Sequence, residues 1–161
     1  MLGKTWLLTD FGFSTILESK SIVQSRLGRG TEAYRAPELI EEGSKISAGT
    51  VSKYGDIWAI GCILFQLATM GQRCAFTSDW AAVAYKQQHQ GYELPQLARQ
   101  DSPFSVLKSE ADRFRDEINL ILRACFAREP QNRPTAASLL EKFEGMVGSV
   151  ASVYMYEIFQ A

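Results

Sequence analysis

An acidic residue directly after a short apolar run is the first feature that could do chemistry. The run Lys4–Thr9, KTWLLT, is rich in residues that favour extended backbone and predicts a strand. Asp10 follows it at once, and Phe11 and Gly12 follow Asp10. A carboxylate at a strand end, next to a glycine hinge, could hold a metal ion. An ordinary turn is the alternative, and these three residues alone do not decide between the two.

A second acid, Asp56, lies near the start of a strongly apolar stretch, Ser52 to Gly71. Residues 57–68 are almost unbroken apolar, which predicts a helix buried on all sides. The stretch is too short to span a bilayer. Ser52 is the predicted N-cap and Gly71 the predicted stop. A carboxylate buried here needs hydrogen-bond donors. Alternatively, Asp56 merely sits at the positive end of the helix dipole.

The segment between these two acids is mostly irregular. Residues 13–35 are rich in serine, glycine and charge, and they predict a long surface loop with a short strand near Ile22 and Val23. A short helix is predicted from Glu38 to Glu42, closed by Gly43.

Three amphipathic helices are predicted after the buried one. The first follows Ser78 and covers about residues 79–90, the second begins at the S-x-x-D signal of Ser109 and Asp112, and the third follows Thr135. In the first, one side carries Trp80, Val83, Ala84 and Gln87; it could be a docking face, although partial burial is the simpler interpretation. The predicted inward faces of the other two are Phe114, Ile118, Ile121, Leu122 and Cys125, and Leu139, Leu140, Phe143 and Val147.

Composition excludes several classes of protein. The 161 residues suffice for one domain with a core, and 46% apolar residues exclude a disordered chain. The net charge of −1 gives no indication of nucleic acid or a membrane surface as a partner. There are three cysteines and no CxxC, and Cys62 and Cys125 are predicted to be buried thiols. This favours a reducing intracellular compartment, cytoplasmic or nuclear. No signal peptide is evident at the N-terminus.

Taken in order, four motifs are far more specific than any one of them. They are Asp10-Phe11-Gly12, the string GTEAYRAPE from Gly30 to Glu38, the string DIWAIG from Asp56 to Gly61, and Arg133-Pro134. Together they resemble the C-terminal lobe of a eukaryotic-type protein kinase of the serine/threonine branch. The resemblance implies a mainly α fold with a short N-terminal β element. It also implies a partial kinase domain over residues 1–147, followed by a C-terminal tail, 148–161.

The resemblance also implies roles at the nucleotide end. Asp10 matches the acid that binds Mg²⁺ bridging the phosphates of ATP. Phe11 matches the residue whose packing distinguishes active from inactive states, and Gly12 completes this cofactor-binding motif. Thr31 matches the threonine that lies near the catalytic aspartate and supports it. Residues 13–35 match the activation loop, in which Ser25 is the expected phosphorylation site.

Other matched residues are structural. Glu38 and Arg133 match a buried ion pair, and Trp58 belongs to the core of the buried helix. Asp56 matches the acid that anchors the backbone of the catalytic loop, which supplies the donors that a buried carboxylate needs. Among relatives that prefer basic substrates an acid often stands near the end of this helix. Gln66 stands there instead, which argues against a strong preference for arginine in the substrate.

Several family motifs do not occur in the 161 residues. These are the Gly-rich phosphate loop, the strand lysine with its helix glutamate, and the His-Arg-Asp catalytic loop that carries the base. The chain alone is therefore expected to transfer no phosphate, and ATP and Mg²⁺ are cofactors of the parent kinase. Its expected partners are a protein substrate or the missing N-terminal lobe. Asp56, without the catalytic loop, is expected to be left without its partner.

Two hypotheses about function follow. In the first, the chain is part of a serine/threonine kinase whose activity belongs to the parent protein. In the second, it is a non-catalytic, pseudokinase-like module that binds other proteins. Retention of Asp10, Phe11, Gly12 and Thr31 favours the first, because a scaffold has no physical need for a metal-binding acid.

Overall fold

The computed structural model describes residues 7–14, 16, 22–25, 30–40, 49–98 and 108–146 of the chain. Two strands are present, β1 (Ile22–Ser25) and β2 (Gly49–Ser52). The helices are α1 (Lys53–Ala68), α2 (Asp79–Lys86), α3 (Lys108–Cys125) and α4, which covers residues 136–146. Single 3₁₀ turns occur at Phe11–Phe13, Pro37–Leu39 and Pro130–Asn132. The mainly helical fold predicted from the sequence is confirmed. Among the helices that the structure describes, none combines the length and the apolar character needed to cross a membrane.

The short β element lies later in the chain than the first predicted strand. β1 and β2 pair antiparallel, with Ile22 opposite Ser52 and Ser25 opposite Gly49. The strand predicted near Ile22 and Val23 is therefore confirmed. The strand predicted at Lys4–Thr9 is not found at residues 7–9, which have no regular secondary structure, and residues 4–6 lie outside the described part. An apolar run becomes a strand only where another backbone pairs with it, and the described residues pair none with 7–9.

Helix α1 is the centre of the core, and its packed face is aromatic. Trp58 is fully buried; its ring stacks on Phe76 with centroids 4.8 Å apart and meets the edge of Phe126 at 5.0 Å. Tyr85 of α2 joins this cluster, 5.6 Å from Phe76, and its hydroxyl donates to the Phe126 carbonyl at 3.0 Å. Offset and edge-on ring contacts of this kind add to the free energy of burial.

The opposite face of α1 corrects the sequence prediction. A helix apolar on all sides was expected to be buried on all sides, yet Ile60, Ile63 and Leu67 are 36%, 48% and 56% exposed. Burial requires a neighbouring element, and the described part of the chain supplies one only to the Trp58 face. The helix is apolar on all sides, as predicted, but the assumption that a neighbouring element covers every side was wrong.

The α1–α3 contact depends on a glycine. A Cβ atom added at Gly61 would lie 2.8 Å from the Cys125 Cβ and 2.9 Å from Cε1 of Phe126. Only a residue without a side chain lets the two helices approach this closely. Cys62 and Cys125 are buried thiols, as predicted, whereas Cys74 is exposed. Burial raises the pKa of Cys62 to about 12 and that of Cys125 to about 11.

Ser52 occupies the N-cap of α1, but the predicted cap bond is not formed. Its hydroxyl is buried and accepts no backbone N–H of the first turn. At the other end α1 finishes at Ala68, just before Gly71. Met70 is left-handed with φ 53°, and the Gly71 N–H donates to the Gln66 carbonyl at 2.7 Å. This closure satisfies the last carbonyls of the helix.

The boundaries of the later helices differ from the predicted ones. The Ser78 hydroxyl caps α2 by accepting the Ala81 N–H at 3.2 Å, as predicted, but α2 ends at Lys86 rather than near residue 90. Gln88, left-handed with φ 61°, turns the chain there. α3 is already helical at Lys108, so Ser109 is not its start. Thr135 caps α4 by accepting the Ser138 N–H at 3.1 Å.

Two further predictions need correction. The helix predicted from Glu38 to Glu42 is a single 3₁₀ turn, Pro37–Leu39, and residues 41–43 lie outside the described part. Leu140, predicted to face inward, is 58% exposed, and Val147 is not among the described residues. Leu140 lies at the margin of an apolar stripe, where spacing alone does not fix the direction of a side chain. Trp80 is 46% exposed and so is partly buried.

Candidate active-site cleft

A cleft of about 600 Å³ lies where the N-terminal segment, the turn of residues 30–35 and the start of α1 meet. It brings together residues distant in the sequence, and among them are Asp10, Thr31 and Asp56, each predicted as a site residue. The other residues lining it are Phe13, Ser14, Gly30, Tyr34, Arg35, Leu39, Ser52, Lys53, Gly55, Ala59 and Ile63.

Asp10 is held in an uncommon backbone conformation. Its φ of 60° and ψ of 64° are left-handed, a region that aspartate tolerates better than most residues, and the 3₁₀ turn Phe11–Phe13 follows it directly. A Cβ at Gly12 would come within 3.4 Å of the Asp10 Oδ1, so glycine leaves the carboxylate room. Phe11 is 67% exposed, so its ring is not packed in the core.

Asp56 lines the same cleft from the first turn of α1. Its side chain is exposed to solvent, yet the surrounding protein desolvates the carboxylate and raises its pKa above the ordinary value. Within the described part of the chain no donor reaches this carboxylate.

The predicted ion pair between Glu38 and Arg133 is present, and it is buried. Arg133 Nη1 and Nη2 donate to the two carboxylate oxygens of Glu38 at 2.6 and 2.9 Å. The Arg133 side chain is 0% exposed and the Glu38 side chain is 9% exposed. This two-pronged geometry is the strongest arrangement that arginine and a carboxylate form.

Arg133 joins three parts of the chain. Its Nη1 also donates to the Tyr54 carbonyl in α1 at 3.0 Å, and its Nε donates to the Ala127 carbonyl after α3 at 3.0 Å. The guanidinium lies over the Trp58 ring, 5.0 Å from the centroid. The arginine therefore fixes the 3₁₀ turn that carries Glu38, at the end of the cleft wall, against the core.

The turn of residues 30–35 forms one wall of the cleft. Gly30 and Ala33 are left-handed, with φ 87° and 67°, and the Tyr34 N–H donates to the Thr31 carbonyl at 3.2 Å. Thr31 is exposed in the cleft, whereas the Tyr34 hydroxyl donates to Oε1 of Gln66 on α1. Gln66, the residue discussed above for substrate preference, therefore contacts the turn of residues 30–35.

A comparison of sequences decides the family. Residues 4–143 match the sequence model of the protein kinase domain, which covers most of the 161-residue chain. The chain belongs to the protein kinase domain family. The family expected from the four motifs is thereby confirmed, and the cleft is part of a kinase domain.

Serine/threonine kinases are among the relatives of this kinase domain. It is 30% identical over 150 residues to mitogen-activated protein kinase kinase kinase 11 of Homo sapiens, covering 93% of this chain and 15% of that protein. It is 30% identical over 133 residues to serine/threonine-protein kinase Nek1 of Toxoplasma gondii, covering 83% and 7%. It is 29% identical over 150 residues to serine/threonine-protein kinase ppk13 of Schizosaccharomyces pombe, covering 86% and 38%. The chain spans well under half the length of these relatives. No solved structure matches it.

One residue that contacts the wall of this kinase-domain cleft from outside was missed from the sequence. Asp79, in the first turn of α2, accepts the Ala33 N–H at 3.2 Å and pairs with Arg35 at 2.6 Å. An acid after the Ser78 cap is usual for the start of a helix, where it complements the dipole. No sequence signal relates it to a turn more than 40 residues earlier.

The donor set of the cleft suits a shared metal ion. Within the described residues no group of three or more His, Cys, Asp and Glu side chains could hold a metal ion by itself. Asp10 and Asp56 are the two carboxylates that line the cleft. Mg²⁺ in phosphate-transferring sites is bound by one or two carboxylates together with substrate phosphates and water. Asp10 therefore fits a Mg²⁺ that is held jointly with a nucleotide.

Ser25, the expected phosphorylation site, lies at the end of β1, opposite Gly49. Much of the segment 13–35 around it is outside the described residues. Its modification stays a prediction.

Proposed function

We propose that this chain is the activation-loop and helical part of a serine/threonine protein kinase domain, over about residues 1–147, with a tail at 148–161. The parent protein would transfer phosphate from ATP to serine or threonine of protein substrates inside the cell. The chief support is the cleft, in which Asp10, Thr31 and Asp56 line one space. The 161 residues by themselves would transfer none, because they contain neither the His-Arg-Asp base nor the Gly-rich loop.

In this proposal each matched residue has one task. Asp10 holds Mg²⁺ together with the nucleotide phosphates, with Phe11 and Gly12 shaping that end of the cleft. The bound Mg²⁺ supplies neutralisation of the charge that develops on the transferred phosphoryl group. Thr31 supports the catalytic aspartate of the parent from the opposite wall. Asp56 accepts hydrogen bonds from the catalytic loop, which supplies the donors that its carboxylate lacks here.

A non-catalytic binding module is the second candidate, and the exposed face of α1 is the observation that favours it. Ile60, Ile63 and Leu67 form an apolar stripe that would suit a protein partner. The same stripe is equally well explained as the surface that the preceding part of a kinase domain covers. Asp10 distinguishes the two candidates, because only the catalytic one needs its carboxylate.

A fusion protein tests the proposal. The segment that precedes the matched 150 residues in human mitogen-activated protein kinase kinase kinase 11 is joined to residues 7–161 of this chain. We expect the fusion to transfer ³²P from ATP to myelin basic protein, and the 161-residue chain to transfer none. Asp10→Ala should lower the rate by at least a hundredfold, because the Mg²⁺ that neutralises the phosphates would lose its protein ligand.

Asp116→Ala is the matched control. It removes an aspartate that is paired with Arg115 on α3, and it does not line the cleft. We expect it to leave the rate unchanged. An active fusion that is indifferent to Asp10→Ala would refute the metal role, and a folded but inactive fusion would favour the binding module.

A further inference from the structure

The turn of residues 30–35 is held to α2 by one carboxylate. Oδ1 of Asp79 accepts the Ala33 N–H at 3.2 Å, while Oδ2 pairs with Arg35 Nη1 at 2.6 Å. Arg35 in turn donates its Nε–H to the Gly30 carbonyl at 2.9 Å. Asp79 therefore contacts the middle of the turn directly and its start through Arg35.

The contacts of Asp79 to Ala33 and Arg35, called the clip below, are shielded from water and lie at the N-terminus of a helix. The side chains of Arg35 and Asp79 are only 15% and 14% exposed, so water screens their interaction weakly. Asp79 lies in the first turn of α2, directly after the Ser78 cap, where the helix dipole favours a negative charge. Ala33 has φ 67°, which alanine normally avoids, and the bond from its N–H to Asp79 helps to hold it there.

The held turn is a wall of the cleft. Gly30, Thr31, Tyr34 and Arg35 all line it, and the Tyr34 hydroxyl reaches Gln66 on α1. Asp10 lies on a different segment, the one that precedes the 3₁₀ turn Phe11–Phe13. Asp79 contacts Ala33 and Arg35 but not Thr31, so a change at Asp79 should loosen residues 33–35 of this wall and leave the Asp10 end in place.

We propose that Asp79 is a positioning residue that sets the protein-substrate side of the cleft. It acts through the turn of residues 30–35, and it touches neither the nucleotide nor the reacting atoms. The inference rests on the proposed function, since it assigns the part of the wall formed by residues 33–35 to the protein substrate. Its signature is weaker binding of protein substrate, with binding of ATP and turnover largely unchanged.

The fusion protein described above provides the kinetic test. With Asp79→Ala, which removes the contacts to both the Ala33 N–H and Arg35, we expect KM for myelin basic protein to rise about tenfold or more. KM for ATP and kcat should change less than about twofold, as expected when uniform binding is lost. Asp79→Asn keeps the acceptor for the Ala33 N–H but turns an NH2 donor towards Arg35, so it should recover only part of the loss. The Asp116→Ala control should leave all three constants unchanged.

Amide hydrogen exchange in the 161-residue chain tests the clip without any need for catalysis. The Ala33 amide should exchange about tenfold faster in Asp79→Ala than in the unsubstituted chain, but not in Asp79→Asn or Asp116→Ala. Unchanged exchange in Asp79→Ala would overturn the clip. A fall in kcat with an unchanged KM for protein substrate would overturn the positioning role. An inactive unsubstituted fusion would contradict the proposed function instead, and the exchange rates alone would then decide whether Asp79 holds the turn.

Discussion

The two faces of α1 are similarly apolar, but one is buried and the other is exposed. One face carries Trp58, Cys62 and Phe65 into a core closed by aromatic rings and by the Arg133 guanidinium. The other leaves Ile60 and Ile63 exposed. Apolar side chains are buried on the first face because α3 and the aromatic cluster meet them there. The second face has the same hydrophobic character and, within the described residues, no neighbour.

Charged groups follow the same division. Glu38, on the packed side, meets the guanidinium of Arg133 with both oxygens. Asp56, on the cleft side, is desolvated without a donor in the described part of the chain. The buried carboxylate of Glu38 is satisfied, whereas that of Asp56, which lines the cleft, has no donor among the described residues. This contrast is what we expect if, as proposed, a further segment of a kinase domain covers this side of α1.

The largest loss of stability is expected when the buried ion pair between Glu38 and Arg133 is broken. Glu38→Ala removes the partner of Arg133, whose side chain is 0% exposed, and leaves a buried positive charge. We expect a loss of about 3–5 kcal/mol in the free energy of unfolding, measured by urea titration. Asp116→Ala, which breaks a more exposed ion pair, should cost less than about 1 kcal/mol. Equal effects would mean that burial does not distinguish the two pairs.

Isoleucines on opposite faces of α1 offer a matched comparison. Ile57 is 4% exposed and Ile63 is 48% exposed. Ile57→Thr buries a hydroxyl and removes packing, and should cost about 2 kcal/mol or more. Ile63→Thr should change the free energy of unfolding by no more than about 0.5 kcal/mol beyond the helix-propensity term. A similar loss at Ile63 would show that this face is packed in the isolated chain.

Two helical glycines test the close approach of α1 and α3. At Gly61 an added Cβ would lie 2.8 Å from Cys125, whereas at Gly145 in α4 it would meet nothing within 4 Å. Gly61→Ala should destabilise the chain by about 1–3 kcal/mol through overpacking. Gly145→Ala should stabilise it by up to about 1 kcal/mol, because alanine favours the helix. Thermal unfolding monitored by circular dichroism gives both values, and a stabilising Gly61→Ala would contradict the packing described.

The smallest effect is expected at Asp56, and it depends on pH. Desolvation raises the pKa of this carboxyl in the folded chain, so folding favours its protonated form. Below the ordinary aspartate pKa the group is protonated in both states and costs nothing. As pH rises through the raised pKa the folded state loses stability relative to Asp56→Asn. The variant should therefore melt at a higher temperature than the unsubstituted chain at pH 7 and at the same temperature near pH 3. A difference in melting temperature that widens as pH falls would contradict desolvation as the cause of the raised pKa.

The sequence predicted the parts that depend on local pattern or on a specific motif. The apolar run located α1, the spacing of Ile118, Leu122 and Cys125 located the buried face of α3, and the family motifs paired Glu38 with Arg133. Boundaries were less predictable. Left-handed Gln88 ends α2 at a position that carries no glycine signal, whereas Gly71 marked the end of α1.

The remaining errors have one physical origin, which is that burial and pairing depend on distant neighbours. The strand predicted at Lys4–Thr9 has no paired neighbour at residues 7–9, and the outward face of α1 has none in the described part. The hydroxyl of Ser52 lies at the right position for a cap and bonds nothing there. Asp79 was missed for the converse reason, because its partners come from a turn far away in the sequence.

Accessibility of the cleft face of α1 tests the central claim most directly. Ile63→Cys is made in a Cys74→Ser background, so that the remaining native thiols are the buried Cys62 and Cys125. The rate of thiol labelling is then compared between the 161-residue chain and the fusion protein. We expect rapid labelling in the chain and at least hundredfold slower labelling in the fusion, where the preceding kinase segment covers α1. Equal, rapid labelling in a folded and active fusion would contradict it.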